Sequence, residues 1–259
     1  MSQSGGPVEQ QEGGEHTRSL PDAPPARFRT VGGWLHGLLG WPIFLWWTVL
    51  LGAAIGFDAL RPDPVRRRSI AAMRTLWGRW LWATQPCWDR HLEGLEHVGP
   101  GPYVIVANHR SVIDIPCLVG LGPPITVVAH SRLFAVPVLG RFVRWSGQVD
   151  TADFDRGARA ALAAGVSVLV FPEGMRSSGA VGRFQTGAFH LAKETGTPLL
   201  PVATEGAQGI LARGLAMPLA WRVRVRVRVL PSVAPEGDAR VQARTLRDRI
   251  AAEVEDLSR

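Results

Sequence analysis

The sequence predicts an α/β fold: a mixed, largely parallel central sheet flanked by helices, mounted on an N-terminal hydrophobic membrane-anchoring helical segment. Three observations carry this expectation. From about residue 100 onward, short β-branched runs alternate with helix-like stretches, the pattern of strands joined by crossover helices. The 27 residues from Val31 to Phe57 contain no Asp, Glu, Lys or Arg. Eight of the ten tryptophans fall before residue 90, and Trp collects where a chain meets a bilayer interface.

Residues 1–30 are rich in Gly, Gln, Glu, Pro and Ser and lack the apolar residues that a core needs, so they read as a disordered tail. As a helix, Val31 to Phe57 would measure about 40 Å against a hydrocarbon core of about 30 Å. Pro42 should kink it, leaving about 22 Å of unbroken helix, so a span and a monotopic anchor both fit. The late start and the absence of a basic n-region argue against a cleaved signal peptide. Downstream, Arg61, Arg66, Arg67, Arg68, Arg74 and Arg79 face only Asp58 and Asp63, which by the positive-inside bias places this flank in the cytoplasm. Ile70, Met73, Leu76, Trp77 and Trp80 recur at helical spacing. They predict an amphipathic helix, lying either at a lipid surface with its arginines toward anionic lipid or against the soluble domain. The two helices together make residues 31–84 the anchor, and residues 85–259 the α/β domain.

In that domain, Tyr103 to Ala107, Ile125 to Ala129, Ser167 to Phe171 and Leu199 to Ala203 read as buried strands. Arg156 to Ala164, Thr186 to Thr195 and Ala239 to Leu257 read as helices. Residues 221–230 alternate strictly, with Val223, Val225, Val227 and Val229 on one face and Arg222, Arg224, Arg226 and Arg228 on the other. This is either an edge or surface strand protected by its charge or a face that meets lipid headgroups or a substrate phosphate.

Composition narrows the chemistry. The chain has 259 residues, is 46% hydrophobic and carries two cysteines, which excludes a wholly disordered chain and a disulfide framework and leaves Cys87 and Cys117 as reduced bystanders. Its net charge is +7 with Lys193 the only lysine, so the positive charge is almost all guanidinium, the group that grips phosphate bidentately. That balance suits an anionic membrane or a phosphorylated substrate; a nucleic-acid partner would bring a recognisable module, and none is seen. The sequence also lacks a G-x-S-x-G elbow, a P-loop and an H-E-x-x-H helix.

Two segments carry candidate chemistry. In VIVANHRSVIDIP, His109 emerges at the end of a strand and Asp114 follows five residues later. On an ideal helix the two side chains would lie about 140° apart, so they meet only if the segment begins as a turn, which Pro116 favours. Asp114 would then orient one ring nitrogen and leave the other as a base; as an alternative, Asp114 is only a helix cap. In FPEGMRS a second strand ends at Glu173, Gly174, Met175 and Arg176. This turn is able to hold a phosphate and a neighbouring hydroxyl, or Glu173 and Arg176 form a surface ion pair.

Taken together, NHRSVID resembles the His-four-residues-Asp motif of the glycerolipid acyltransferase family, and FPEGMRS resembles its phosphate-binding FPEGTRS block. The closest likeness is to the 1-acylglycerol-3-phosphate acyltransferases. Weaker blocks follow in family order, SRLFAVPVLGRFVRWSG between the strong motifs and LLPVA (Leu199 to Ala203) after them. The likeness covers roughly residues 85–235.

The resemblance implies transfer of a fatty acyl group from acyl-CoA or acyl carrier protein to the free hydroxyl of a lysophospholipid, 1-acylglycerol-3-phosphate, yielding phosphatidic acid. The implied general base is His109, held by Asp114, with Glu173, Gly174 and Arg176 at the acceptor's phosphate end; Arg144 or Arg156 is a candidate substitute for a phosphate-binding Arg that the family has and this chain lacks. It implies no metal or prosthetic group, and partners limited to membrane lipids and the acyl donor, at the cytoplasmic face of the cell membrane. Two departures stand out: His130 where the family has Lys, and Thr151 where it has an Arg that helps bind acceptor phosphate. They leave open another lysolipid acceptor, or a non-catalytic anionic-lipid-binding protein of the same fold.

Overall fold

β-branched runs bury both faces of a strand only when helices cover both sides of the sheet, and the chain folds accordingly. A computed structural model describes residues 31–58, 65–137, 139–177, 179–210 and 221–259. The expected tail, residues 1–30, lies outside them. The strands are β1 (Trp88–Glu93), β2 (Val104–Ala107), β3 (Ile125–Ala129), β4 (Val149–Asp150), β5 (Ser167–Val170), β6 (Leu199–Glu205) and β7 (Val223–Val229). The helices are α1 (Val31–Asp58), α2 (Val65–Thr84), α3 (Asp114–Val119), α4 (Ser131–Ala135), α5 (Leu139–Trp145), α6 (Phe154–Ala163), α7 (Gly187–Thr195) and α8 (Ala239–Ser258).

The strands form one sheet in the order β1-β7-β6-β2-β5-β3-β4. Every pair is parallel except β6 with β7, which makes the sheet mixed and largely parallel, as expected. Alternation splits the core in two. Val104 and Val106 pack with Leu162, Phe189 and Leu246 of α6, α7 and α8, whereas Ile105 and Ala107 pack with Ile113 and Leu118 around α3. The strands β2 and β5 are central neighbours, so the loops that leave their C-terminal ends are brought side by side, where ligand sites of such sheets form.

Three expectations change. The helix α1 runs unbroken through Pro42: the proline removes one helical hydrogen bond, but packing against α2 holds both halves in line. The amphipathic helix is docked on the domain. Arg74 is buried and donates from Nη1 to the Ile125 carbonyl at 2.7 Å and from Nη2 to the Ser146 carbonyl, and burial pulls its guanidinium down to about 10. Arg74 therefore does not face lipid, and exposed Arg79 donates to the Gly120 and Gly122 carbonyls. A side chain at Gly78 would sit 2.7 Å from the Pro116 carbonyl oxygen and 2.8 Å from the Gly120 nitrogen, so only Gly allows this approach of α2 to α3. Finally, β7 is not an edge strand, because β1 pairs along its outer side. Its arginines find acids there: Arg222 and Arg224 pair with Asp89, and Arg228 with Glu93, Glu253 and Asp256.

Candidate active site

The backbone leaves β2 through Asn108, a fully buried amide that clamps β6. Its Nδ2 donates to the Thr204 carbonyl, and its Oδ1 accepts from the Thr204 amide, both at 2.9 Å. This pair of hydrogen bonds fixes where His109 begins. The next residues turn, as Pro116 suggested, and Asp114 becomes the first residue of α3.

Within that turn, Asp114 Oδ2 accepts from the backbone amides of Arg110 at 2.7 Å and Ser111 at 2.8 Å, and it lies 2.9 Å from His109 Nδ1. Asp114 is therefore not the cap of α3, whose cap position is Ile113 with no side-chain bond; its carboxylate closes the turn before the helix and holds the imidazole. The carboxylate is fully buried, and the His109 side chain is 15% exposed. The ring stacks on Phe171 with centroids 4.0 Å apart. Nδ1 faces a carboxylate and is the nitrogen that carries the proton in the neutral ring, so Nε2 keeps its lone pair. Cys117, fully buried one turn along α3, is no rival nucleophile, since burial and the nearby Asp114 charge push its thiol well up.

Glu173 arrives from β5 and is 9% exposed. Its Oε1 accepts from the His109 amide at 2.8 Å and its Oε2 from the Gly182 amide at 2.7 Å. The sequence reading put Glu173 at the substrate and left open an ion pair with Arg176. Here both oxygens are committed to backbone amides, making the side chain a brace between the two motif loops. The Ser177 amide donates to the His109 carbonyl at 2.8 Å, a second tie between the loops. Gly174 has φ +72°, the left-handed region that favours glycine. Between Gly174 and Ser177, Arg176 is half-buried and makes no hydrogen bond or ion pair with the other described residues.

Three groups that sequence reasoning missed complete the surroundings. Arg110 Nε lies 2.8 Å from Glu205 Oε2, and Arg110 Nη1 donates to the Gly179 carbonyl at 2.8 Å. Arg247 of α8 donates to the Val181 carbonyl at 2.6 Å. The loop after FPEGMRS is therefore clamped from two sides. An open cleft of about 770 Å³ lies between this loop, Arg110, Glu205 and the α8 residues Ala251 and Val254. No local signal gives Glu205 or Arg247 away, because their partners are far along the chain.

Arg144 sits apart, exposed on α5, where it donates to the Phe134 carbonyl at 2.7 Å. The two departures from the family pattern lie close together where β3 and β4 end. Ser131 Oγ lies 2.9 Å from Thr151 Oγ1 and donates to Asp150 Oδ1 at 2.5 Å, while His130 Nδ1 accepts the Arg132 amide. The two positions thus hold the Thr151 hydroxyl, networked with the Ser131 hydroxyl and the Asp150 carboxylate, and the His130 ring, bonded to a backbone amide. Among the described residues no group of three or more His, Cys, Asp or Glu is placed to hold a metal ion.

Known proteins are similar to this chain in sequence and fold. Residues 89–205 match the family model described as Acyltransferase. The chloroplastic 1-acyl-sn-glycerol-3-phosphate acyltransferase of Arabidopsis thaliana is 31% identical over 163 residues, 59% of this chain and 45% of that protein. The 1-acyl-sn-glycerol-3-phosphate acyltransferase alpha of Ovis aries is 29% identical over 82% of this chain and 74% of its own length. The chain spans about half the length of the plant and algal relatives it matches. The crystal structure of the 1-acyl-sn-glycerophosphate (LPA) acyltransferase PlsC from Thermotoga maritima superposes with a TM-score of 0.72 at 25% identity, covering 87% of this chain and 96% of that one.

Proposed function

We propose that this chain, an acyltransferase-family protein over residues 89–205, moves a fatty acyl group from an acyl thioester to the free hydroxyl of 1-acylglycerol-3-phosphate, giving phosphatidic acid. The observation that carries the reading is the 2.9 Å contact of His109 Nδ1 with a buried Asp114 whose same oxygen also takes two backbone amides. It presents Nε2 as a base of fixed tautomer. As the acceptor oxygen attacks the thioester carbonyl carbon, Nε2 takes the hydroxyl proton. The ester C–O bond forms and the C–S bond breaks, and the imidazolium returns the proton to the departing thiolate. Asp114 stabilises the imidazolium in between. The step requires no nucleophile from the protein and no metal or prosthetic group.

Arg176, uncommitted and one residue from the Ser177–His109 tie, is the group we assign to the acceptor's phosphate. The names of the relatives support this acceptor. The donor is coenzyme A or acyl carrier protein in this reading, and the cleft lined by Ala251 and Val254 is the space into which bound substrate extends.

Membrane attachment follows the same reading. Within α1, Gly33–Asp58 is long and apolar enough to cross a bilayer, but α1 is bound to the domain near both ends. Gln85 donates to the Gly40 carbonyl, Trp47 stacks on Trp80 with centroids 5.1 Å apart, and a Cβ added at Gly52 would meet the Phe142 ring at 3.5 Å. A spanning α1 would carry α2, with its buried Arg74, into hydrocarbon. We therefore read α1 as lying within one leaflet, the cytoplasmic one, with Trp34, Leu38, Trp46 and Val49 outward.

The test is His109→Ala in purified, membrane-bound protein supplied with labelled acyl thioester and a panel of lysolipids. Transfer should fall to background while vesicle binding stays; undiminished transfer would sink the mechanism, and transfer confined to another lysolipid would sink the acceptor.

A further inference from the structure

We propose that the α4–α5 hairpin is a second membrane contact, seated on the anionic headgroups of the same leaflet that receives α1. The inference rests on the membrane reading of α1 and extends it to a part of the fold outside the anchor. Residues 131–145, SRLFAVPVLGRFVRW, contain three arginines and no acid. Phe134 and Val143 are buried with Ala129 and pin the hairpin to β3. Their neighbours point the other way: Leu133 is 41% exposed, Val136 42% and Trp145 58%.

Three large apolar side chains exposed on one short, acid-free hairpin are the composition of a segment that meets lipid. Charge supports lipid over a second apolar surface. Arg132 and Arg141 are exposed, and the Arg141 guanidinium lies 5.7 Å from the centre of the Trp145 ring. That pairing leaves an apolar ring face for acyl chains and a cation for phosphate. Position agrees as well. Phe142 packs on Gly52 of α1, and Trp145 lies one helical turn beyond Phe142 on the same side of α5. The exposed apolar surface of α1, which includes Val49 and Phe57, thus continues onto the hairpin.

The experiment attaches a thiol-reactive fluorophore to the full-length protein carrying Leu133→Cys or, separately, Leu38→Cys on α1. Cys87 and Cys117 are buried and do not take the label. Each protein is mixed with vesicles of phosphatidylcholine and phosphatidylglycerol whose chains are brominated. Quenching at both positions, stronger with phosphatidylglycerol than without it, supports the proposal. Quenching at position 38 alone overturns it while leaving α1 as the anchor, and quenching at neither overturns the anchor too. If the label at 133 is shielded without vesicles and the protein sediments as a dimer, the face belongs to a second copy and the proposal fails. As an independent measure, Leu133→Glu with Val136→Glu should weaken vesicle partitioning roughly tenfold or more with turnover of a short-chain, water-soluble acceptor unchanged; unchanged partitioning refutes the contact.

Discussion

Replacing Glu173 by Gln tests whether this side chain binds substrate or braces the site. Each carboxylate oxygen accepts one backbone amide, from His109 at 2.8 Å and from Gly182 at 2.7 Å. An amide side chain offers one oxygen and one NH2, so one of the two backbone donors must face another donor. Losing one bond to a charged acceptor and stranding a nearly buried N–H costs about 3 kcal/mol. For a domain of this size that is a fall in unfolding midpoint of roughly 6–12 °C. If the His109 amide is the one released, the imidazole is displaced relative to Asp114, and a shift of about 1 Å lowers turnover about 100-fold. Thermal unfolding in detergent, followed by tryptophan fluorescence, and initial rates over a range of acceptor concentrations measure both effects. A substrate-binding role predicts the opposite pattern, a raised acceptor KM with midpoint and kcat preserved. A Gln variant within 2 °C and threefold of the parent would refute the brace.

Arg176→Ala should raise the acceptor KM roughly 10- to 100-fold, the worth of one charge-assisted contact, and leave the thioester KM nearly unchanged; the reverse order would reassign Arg176 to the donor. Gly78→Ala should destabilise the protein by about 1–2 kcal/mol, although alanine is the better helix former by about 1 kcal/mol, because the added carbon meets the α3 backbone; thermal unfolding reads this out, and a stabilised variant would refute the close approach. The Arg228 guanidinium holds the Asp256 carboxyl below its ordinary range. A depressed acid contributes stability above the ordinary carboxylate value of about 3.9 and loses it as pH falls through the lower folded value. Arg228→Ala should therefore flatten the acid limb of the stability curve below about pH 4, and an unchanged limb would show that the pair carries no proton linkage.

Elements whose pattern is set by their own burial were legible. Ile125–Ala129 and Leu199–Ala203 are β-branched or apolar because both faces are covered, and each reads as a strand with no neighbour in view. By contrast, β1 reads WDRHLE with one buried residue in six, and its strand character comes from pairing with β7, 135 residues away. Without β1 the alternating arginines looked like an edge. Arg74 misled for a related reason: its partners are the carbonyls of Ile125 and Ser146, which leave no mark in sequence, so a cation on a helix read as solvent- or lipid-facing. At the site, the His109–Asp114 pair was legible because a short turn contains it. The Glu173 brace spans 64 residues and the Arg247 clamp still more, and both are made with backbone amides and carbonyls that any residue supplies.

The contact of Gly78 with the α3 backbone reaches beyond packing. Asp114 opens α3, and at Gly78 the backbone of α2 lies directly against that of α3, so under the proposed function the anchor and the loop that carries His109 are packed on each other. If α1 lies in one leaflet as proposed, that packing sets the height of His109 above the lipid and the tilt of the domain. An enzyme on a flexible tether samples acceptors at any depth; in the proposed reading this protein would meet them at a single depth, and a bilayer that thins, thickens or curves would alter its turnover without touching a residue of the site.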